Sequence, residues 1–484
     1  WFGATPAAPA KPSGRPVRLL PEVVPCGQVE PLDTLAGRTV LVVDDNGIGL
    51  ELADLVERYG GTPRTVPVFP DDVSGVDFVV RLGAQLPAAY EEVKACLVGG
   101  IGILVVTAAG GTFGFGEASA EPSPGLAGAE PLPSDIGLHG LIRTAALEYP
   151  DLLVRAVDVN PKESHRVIAT ALLAELSTVD GPSVVGHLGG RRHAIELRPV
   201  ELADEPAVPR LDADSVVLLT GGARGITALT AIALAEATGC HIELIGRTPA
   251  PSRSEDPRTA AALDEAGVRR ALIESGVRDR DTVAAQARQV LAEREVRQTL
   301  DRLRSTASSV RYHECDVQDA DGIRAVLADV TARFGRVDGV VHGAGVLDDR
   351  LIADKDAEAF ARVYDTKVSG ARSLAAHLPD DLSFLVLFGS VSGVYGNRGQ
   401  ADYSAANDAL DRMARFWSTQ TEARVVSVDW GPWAGAGMVS PELAQEYARR
   451  GVPLIDPGQG VAALLRELAL GRKDDVQVVY RCEE

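Results

Sequence analysis

Short apolar runs alternate with longer segments of helical periodicity through the second half of the chain. The runs that predict buried strands lie at 216–220, 241–245, 310–314, 339–342, 384–388 and 425–430. Several of the segments between them carry apolar residues three or four positions apart, which is typical of helices that cover a sheet. Strands that alternate with helices form parallel sheets. The pattern therefore predicts an α/β fold with a doubly wound parallel sheet in residues 209–484.

The first half repeats this pattern more weakly. Strand-like runs lie at 39–43, 78–80, 101–106, 152–157, 183–186 and 193–197, with helical patterns at 88–97 and 138–148. Gly47 and Gly49 form a turn after the first run, but no helix of this half carries a Tyr-x-x-x-Asn spacing. We therefore expect residues 36–208 to form a degenerate, structural Rossmann-like subdomain.

Other stretches have the composition of connecting segments. Residues 1–35 are rich in Pro and Ala with little periodicity, so we expect a linker there. Residues 110–134 are rich in Gly, Pro, Ala and Glu, which predicts a surface loop. Prolines recur at 206–209, where we expect the boundary between the two halves.

A long insertion separates the strands at 241–245 and 310–314. It has roughly sixty residues, where a short crossover is usual. Much of it is expected to be amphipathic helix, with Asp281 as a candidate N-cap and apolar residues at helical spacing, namely Val283, Val290, Val296, Leu300 and Leu303. We expect the insertion, at about 252–306, to serve packing or docking.

Composition narrows the class of protein. The chain has 484 residues, 45% hydrophobic and 24% charged, without an apolar run of the ~18 residues that span a membrane, so we expect a soluble protein of two domains. A net charge of -20 disfavours nucleic acid as a partner. Eight histidines and five scattered cysteines show no metal-ligand spacing, and the cysteines fit a reducing cytoplasm. Because the chain begins at Trp1, we expect a segment of a longer polypeptide.

A glycine-rich turn joins the strand at 216–220 to an Ala-rich helix. The turn consists of Thr220, Gly221, Gly222, Ala223, Arg224, Gly225 and Ile226. Glycines permit a sharp bend and a close approach to a pyrophosphate, which lies against the amides of the helix N-terminus. Thr227 replaces the third glycine of the usual fingerprint, and isolated glycine turns also occur without a nucleotide.

Arg247 ends the second strand, where an acidic residue would recognise the ribose 2′-hydroxyl of NAD. Together with Arg224, it would instead bracket a 2′-phosphate, which favours NADP. The alternative is that both are solvated surface arginines.

Polar side chains are expected to converge where the strand at 384–388 ends. Ser390 follows this strand, and Tyr403 and Asn407 lie four residues apart on a helix face. A phenol, with a pKa near ~10, is a poor acid at neutral pH unless a cation such as Lys367 favours its ionised form. Alone, Tyr403 would be a core aromatic and Lys367 or Asn407 an exposed helix residue. Ser392 is an equal rival to Ser390 by spacing within this chain.

Taken together, these motifs resemble the short-chain dehydrogenase/reductase family. The resemblance rests on the glycine turn, Asp316, His342-Gly343-Ala344-Gly345, Lys367, Ser390, Tyr403 and Asn407, in this order. The Tyr-x-x-x-Asn order, Trp430-Gly431-Pro432-Trp433 and the degenerate first half are similar to the ketoreductase domain of type I polyketide synthases. The insertion and the turn are similar to ketoreductases of polyunsaturated fatty acid and enediyne synthases.

The resemblance implies NADPH-dependent reduction of a β-ketoacyl thioester, carried on an acyl carrier protein, to the β-hydroxyacyl thioester. Tyr403 would protonate the carbonyl oxygen, Ser390 would hydrogen-bond it, and Asn407 would support a proton relay. Lys367 would lower the pKa of the phenol and hold the nicotinamide ribose. The family's spacing of thirteen residues before the tyrosine selects Ser390 over Ser392.

The resemblance also assigns the remaining site residues. The nucleotide would be held by the turn from Thr220 to Ile226 and by Gly246, Arg247, Asp316, Val317, His342, Gly343, Ala344, Gly345, Lys367 and Tyr403. Leu347, Asp348 and Asp349 match the marker for the (3R), or B-type, alcohol, and Trp433 is assigned to the substrate side with them. Other domains of the same synthase would be partners. The alternatives are a catalytically silent scaffold domain and an epimerase or dehydratase of the same family.

Overall fold

The computed structural model describes residues 15–29, 35–44, 47–115, 126, 132–178, 180–203, 211–251, 255–435, 437 and 441–482, without the side chains at 441, 442, 444 and 446. The elements of the first half are β1 (Val17–Pro25), β2 (Thr39–Val43), α1 (Ile48–Arg58), β3 (Thr62–Val66), β4 (Phe78–Arg81), α2 (Tyr90–Val98), β5 (Gly102–Thr107), α3 (Leu138–Glu148), β6 (Val154–Val159), α4 (His165–Leu176), β7 (Val184–Leu188) and β8 (Arg191–Pro199).

The second half begins with β9 (Val216–Thr220), α5 (Gly225–Thr238), β10 (His241–Gly246), α6 (Pro257–Ala260), α7 (Glu265–Glu274), α8 (Arg280–Leu303), β11 (Val310–Glu314), α9 (Ala320–Phe334) and β12 (Gly339–His342). It continues with a 3-10 helix (Ile352–Asp354), α10 (Ala357–Ala375), β13 (Phe384–Ser390), α11 (Val391–Tyr395), α12 (Ala401–Ser418), β14 (Arg424–Trp430), α13 (Pro441–Arg449), α14 (Pro457–Leu470) and β15 (Gln477–Arg481).

All fifteen strands of the described residues form one sheet, in the order β11-β10-β9-β12-β13-β14-β15-β1-β8-β7-β6-β5-β4-β2-β3. The strands from β9 to β15 run parallel, as do those from β2 to β7, while β1 and β8 are antiparallel to their neighbours. The predicted α/β fold is confirmed. The strand order reverses between β9 and β12, which is where open α/β sheets bind ligands at the carboxyl ends of the strands.

The prediction of a linker over residues 1–35 is wrong for Val17–Pro25, which form strand β1. Leu19 pairs with Val479 of β15 on one side and with Pro199 of β8 on the other. The buried guanidinium of Arg18 forms ion pairs with Glu467, at 2.7 Å, and with Asp475, at 2.6 Å. These partners are distant in sequence, so local periodicity did not reveal the strand. Residues 1–14 and 30–34, and the boundary expected near 206–209, lie outside the described residues.

The insertion is largely helical, as its periodicity predicts. Helix α8 packs on the second-half sheet, because Val296, Leu300 and Leu303 share an apolar core with residues of β9 and β10. Its N-cap is Asp279, whose carboxylate accepts a hydrogen bond from the amide of Thr282 at 2.8 Å. The predicted cap, Asp281, lies instead in the first turn, where its negative charge suits the helix dipole.

Helix α3 of the first half packs closely against α12 of the second. A Cβ atom on Gly140 would lie 2.1 Å from the carbonyl oxygen of Ser404, so the two helices cross at a distance that only glycine permits. Buried residues of both helices, among them Leu141 and Ala409, belong to one apolar core. The first half therefore fixes the position of α12.

Candidate active site

Lys367, Ser390 and Tyr403 come together at the carboxyl end of β13. Ser390 ends this strand, Tyr403 lies in the first turn of α12, and Lys367 lies on α10. The ammonium of Lys367 is 3% exposed, donates to the carbonyl of Phe388 at 2.6 Å, and lies 5.6 Å from the centre of the Tyr403 ring. The structure thus brings these predicted residues together.

The geometry separates the two candidate serines. Ser390 lies close enough to the phenol of Tyr403 to lower the pKa of that phenol. Ser392 is buried behind it, and its hydroxyl donates to Ser390 Oγ at 3.0 Å. Ser390 therefore faces the tyrosine and Ser392 supports it.

Asn407 lies one turn after Tyr403 and is fully buried. Its Nδ2 donates to the backbone carbonyl of Tyr403 at 2.7 Å. Its Oδ1 has no hydrogen-bond partner among the described residues, which is unusual for a buried amide. Asn407 thus leaves an acceptor available behind the tyrosine.

Burial changes the ionisation of both central groups. It raises the pKa of Tyr403 to about 12, although hydrogen bonds from Asn407 and Ser390 act in the opposite direction. It lowers the pKa of Lys367 to about 8, although Asp429 and Asp411 favour the ammonium. The expected acidification of the phenol by Lys367 is therefore outweighed, because desolvation disfavours the phenolate. At neutral pH the phenol retains its proton.

The glycine turn forms a backbone cradle at the start of α5. Gly221 has φ of +71°, and a Cβ there would lie 3.0 Å from the carbonyl oxygen of Gly343. Gly225 has φ of +58°, a conformation that other residues rarely adopt. A Cβ on Gly222 would lie 2.7 Å from the Leu219 side chain. Side chains are thus excluded at these three positions, where the backbone of the turn stays bare.

Thr220 and His342 link this turn to the helix that carries Lys367. Thr220 Oγ1 lies 2.8 Å from His342 Nδ1, and His342 Nε2 lies 2.9 Å from the carbonyl oxygen of Lys367. Burial lowers the pKa of His342 to about 3, so the imidazole is neutral. The amide of Ala344 also donates to Thr220 Oγ1, at 3.4 Å, which fixes the loop that continues through Gly345.

Arg224 and Arg247 are each about half exposed, and each forms an ion pair with a carboxylate. Arg247 lies 3.6 Å from Asp316. Arg224 donates through Nε to Glu295 Oε2 at 2.9 Å, and the amide of Gly225 donates to Glu295 Oε1 at 2.8 Å. Sequence reasoning missed Glu295, because only the packing of the inserted helix α8 brings it to the turn.

The remaining predicted residues lie at or just after the carboxyl ends of β9, β10, β11 and β12. A Cβ on Gly246 would lie 2.7 Å from the hydroxyl of Tyr312, and Val317 is buried. Leu347 is partly buried, Asp348 pairs with Arg350 at 3.0 Å and with Arg362, and Asp349 accepts from Gln400 at 3.0 Å. Ala223 is buried, and Ile226 is partly buried.

Trp433 differs from its assignment to the substrate side. It is 1% exposed, its ring centre lies 5.0 Å from that of Trp430, and a Cβ on Gly460 would lie 2.5 Å from it. In this structure Trp433 is therefore a core residue, because its ring is covered by α14 and β14.

No group of three or more His, Cys, Asp or Glu among the described residues is arranged to hold a metal ion. Within the same residues, every helix is too short or too polar to span a bilayer.

Comparison with known proteins relates the chain to ketoreductases. Residues 283–435 match the KR domain family, a span that includes Lys367, Ser390, Tyr403 and Asn407 but not the glycine turn. A polyunsaturated fatty acid synthase polypeptide of Thraustochytrium sp. is 33% identical over 351 residues, which cover 69% of this chain and 12% of that protein. A polyketide synthase of Streptomyces halstedii is 31% identical over 343 residues, or 69% of this chain and 5% of that protein.

Solved structures match nearly the whole chain. The ketoreductase from the first module of phoslactomycin biosynthesis in Streptomyces sp. HK803 superposes with a TM-score of 0.72 at 24% identity, covering 96% of this chain and 93% of that one. An N-terminal ketoreductase from the macrolactin assembly line gives a TM-score of 0.71 at 18% identity, covering 97% and 92%. Residues 283–435 thus match the KR domain family, and the chain has the fold of polyketide synthase ketoreductase domains, which confirms the resemblance found in the sequence.

Proposed function

We propose that this domain uses NADPH to reduce a β-ketoacyl thioester on an acyl carrier protein to the (3R)-β-hydroxyacyl thioester. One observation carries the proposal. The phenol of Tyr403, the hydroxyl of Ser390 and the buried ammonium of Lys367 lie together at the carboxyl end of β13, one strand from the switch point of the sheet, and the glycine turn that would hold a nucleotide follows β9. The relatives named above are synthases, so other domains of a synthase are the proposed partners.

The residues present fit a phosphorylated dinucleotide. The side-chain-free turn at Gly221 and Gly225 accommodates a pyrophosphate, and Arg224 and Arg247 offer guanidinium groups to a 2′-phosphate. Lys367 and Tyr403 would hold the nicotinamide ribose. When bound, NADPH supplies a hydride to the carbonyl carbon of the substrate.

Tyr403 is the proposed acid. Because the pKa of its phenol is raised to about 12, it carries a proton to donate to the carbonyl oxygen as negative charge develops there. Ser390 would hydrogen-bond the same oxygen. The ammonium of Lys367, over the ring face, would stabilise the phenolate that remains, and the free Oδ1 of Asn407 would accept a hydrogen bond from a water that returns the proton.

The proposed stereochemistry rests on the loop that contains Leu347, Asp348 and Asp349. Asp349 is held by Gln400, three residues before Tyr403. This contact joins the loop to the start of α12, from which the proton would be delivered. The loop would then control which face of the ketone meets the nicotinamide.

The test is NADPH oxidation with a panel of β-ketoacyl thioesters, followed by chiral analysis of the alcohol. Tyr403→Phe should lower turnover by roughly 10²-fold or more while NADPH still binds, because general acid catalysis is lost. Tyr395→Phe removes the hydroxyl of an exposed tyrosine nearby and serves as the matched control. Full turnover by Tyr403→Phe would refute the assigned acid.

One observation favours the alternative of a catalytically silent scaffold. The carboxylate of Glu295 occupies the start of α5, where a phosphate would bind. Titration of the wild-type domain with NADPH, followed by nicotinamide fluorescence, separates the two functions, because a scaffold need not bind the nucleotide. An epimerase or dehydratase would instead turn over without net consumption of NADPH.

A further inference from the structure

Glu148, in the first half, holds two loops of the second half with a single carboxylate. It ends helix α3. Its Oε2 accepts a hydrogen bond from the amide of Ile352 at 2.8 Å, and its Oε1 accepts one from the amide of Gly399 at 2.7 Å. Both bonds are charge-assisted and have the short distances typical of such pairs.

The two loops border the proposed substrate site. One runs from Leu347 to Ile352, and the other connects α11 to the start of α12, between Ser390 and Tyr403. They also contact each other directly, since the amide of Arg350 donates to the carbonyl of Gly399 at 2.9 Å. Glu148 therefore binds both members of a loop pair and fixes their separation.

Other first-half side chains reinforce the first loop. The hydroxyl of Tyr90 lies 3.1 Å from the carbonyl oxygens of both Ile352 and Lys355. The ammonium of Lys94 donates to the carbonyl of Lys355 at 2.7 Å. These groups hold the end of that loop and the 3-10 helix after it, whereas Glu148 contacts both loops.

We propose that Glu148 is a positioning residue for ketone reduction: it sets the spacing of the two loops, and thereby the face on which the substrate meets Tyr403 and Ser390. This inference rests on the proposed function. The glycine turn at Gly221 to Gly225 follows β9 and makes no hydrogen bond or ion pair with Glu148 among the described residues. Loss of Glu148 should therefore impair substrate binding and stereochemistry but not NADPH affinity.

The decisive variant is Glu148→Gln, which keeps the size of the side chain but turns an amide N–H₂ toward one of the two backbone amides. The Michaelis constant for the β-ketoacyl thioester and the fraction of minor alcohol should each rise roughly fivefold or more, as expected when a buried amide loses its acceptor. The NADPH dissociation constant should stay within about twofold. Glu148→Asp shortens the side chain but keeps its charge. Its Michaelis constant and its fraction of minor alcohol should lie between those of Glu148→Gln and wild type.

Tyr364→Phe is the matched control. It removes another buried hydrogen bond between the halves, from the Tyr364 hydroxyl to the carbonyl of Ile136 at 3.0 Å, without contacting either loop. This variant should lower stability somewhat and leave the Michaelis constant and the alcohol ratio at wild-type values.

A purely structural role for Glu148 predicts a different result. The maximal rate of Glu148→Gln would then fall with the folded fraction while the Michaelis constant and alcohol ratio stayed unchanged, and that outcome would overturn the inference. Amide hydrogen exchange provides a readout independent of activity. Exchange at Ile352 and Gly399 should accelerate at least tenfold in Glu148→Gln, and unchanged exchange would also overturn it. If the wild-type domain reduces no β-ketoacyl thioester, the proposed function fails, whatever the exchange result.

Discussion

Gly343 leaves the space that the side chain of Thr227 fills. A Cβ on Gly343 would lie 2.2 Å from Thr227 Oγ1, and Thr227 itself is buried. Thr227 stands where the nucleotide fingerprint usually has its third glycine, which allows the helix to pack closely on the sheet. Gly343, in the loop after β12, therefore makes room for the threonine that replaces the usual third glycine in α5.

This relationship predicts that Gly343→Ala destabilises the domain by about 1–3 kcal/mol through overpacking and weakens NADPH binding. Thr227→Ala alone should cost little, because alanine favours a helix. In the double variant, Thr227→Ala should restore much of the loss. Chemical unfolding and NADPH titration of the four proteins measure this coupling. The coupling would be contradicted if Gly343→Ala lost as much stability and NADPH affinity with Thr227→Ala as without it.

Glu295 is expected to oppose NADPH binding, because its carboxylate lies on the amide of Gly225 and on Arg224. Glu295→Gln should therefore tighten NADPH binding roughly three- to tenfold at low salt, with a smaller gain at high salt. Glu236→Gln is the matched control. Glu236, on α5, forms an ion pair with Arg302 of α8 at 2.7 Å, away from the turn. Weaker binding by Glu295→Gln would mean that Glu295 orients Arg224 toward the phosphate.

The activity should depend on the charge of Lys367. Burial lowers the pKa of Lys367 to about 8, so the ammonium is present below that pH and lost above it. The specificity constant should therefore be level near neutral pH and fall as the pH rises through about 8. A ketone that does not hydrolyse at alkaline pH is the appropriate substrate. A profile that stays level to pH ~10 would exclude an essential ammonium.

The buried ion pair between Lys355 and Asp402 is predicted to support the start of α12. The two groups lie 2.5 Å apart and are almost completely buried. Lys355→Met should destabilise the domain by about 3–5 kcal/mol, since Asp402 is left as an unpaired buried charge. The loss of stability should be smaller at acidic pH, where Asp402 is protonated and neutral. The double variant Lys355→Met/Asp402→Asn should regain part of the lost stability. A loss that is equal at pH ~5 and ~7.5 would contradict this explanation.

The sequence pattern was sufficient to predict features that depend on a single segment of the chain. The apolar runs predicted β9 to β14 but not β15, and the order of Lys367, Ser390, Tyr403 and Asn407 predicted residues that the fold brings together. Contacts between distant segments were not predictable. Arg18 is ordered by Glu467, and Glu148 reaches Gly399 across the two halves. The sequence also could not weigh desolvation against the charge of Lys367, because burial is a property of the folded chain.

The placement of β1 bears on where this domain can be cut. A chimera cut at residue 36 would separate Val17–Pro25 from β15, the last strand of the second half, and from β8, the last strand of the first half. It would expose two unpaired strand edges in the middle of the sheet, which invite aggregation. The portable unit therefore begins upstream of Val17.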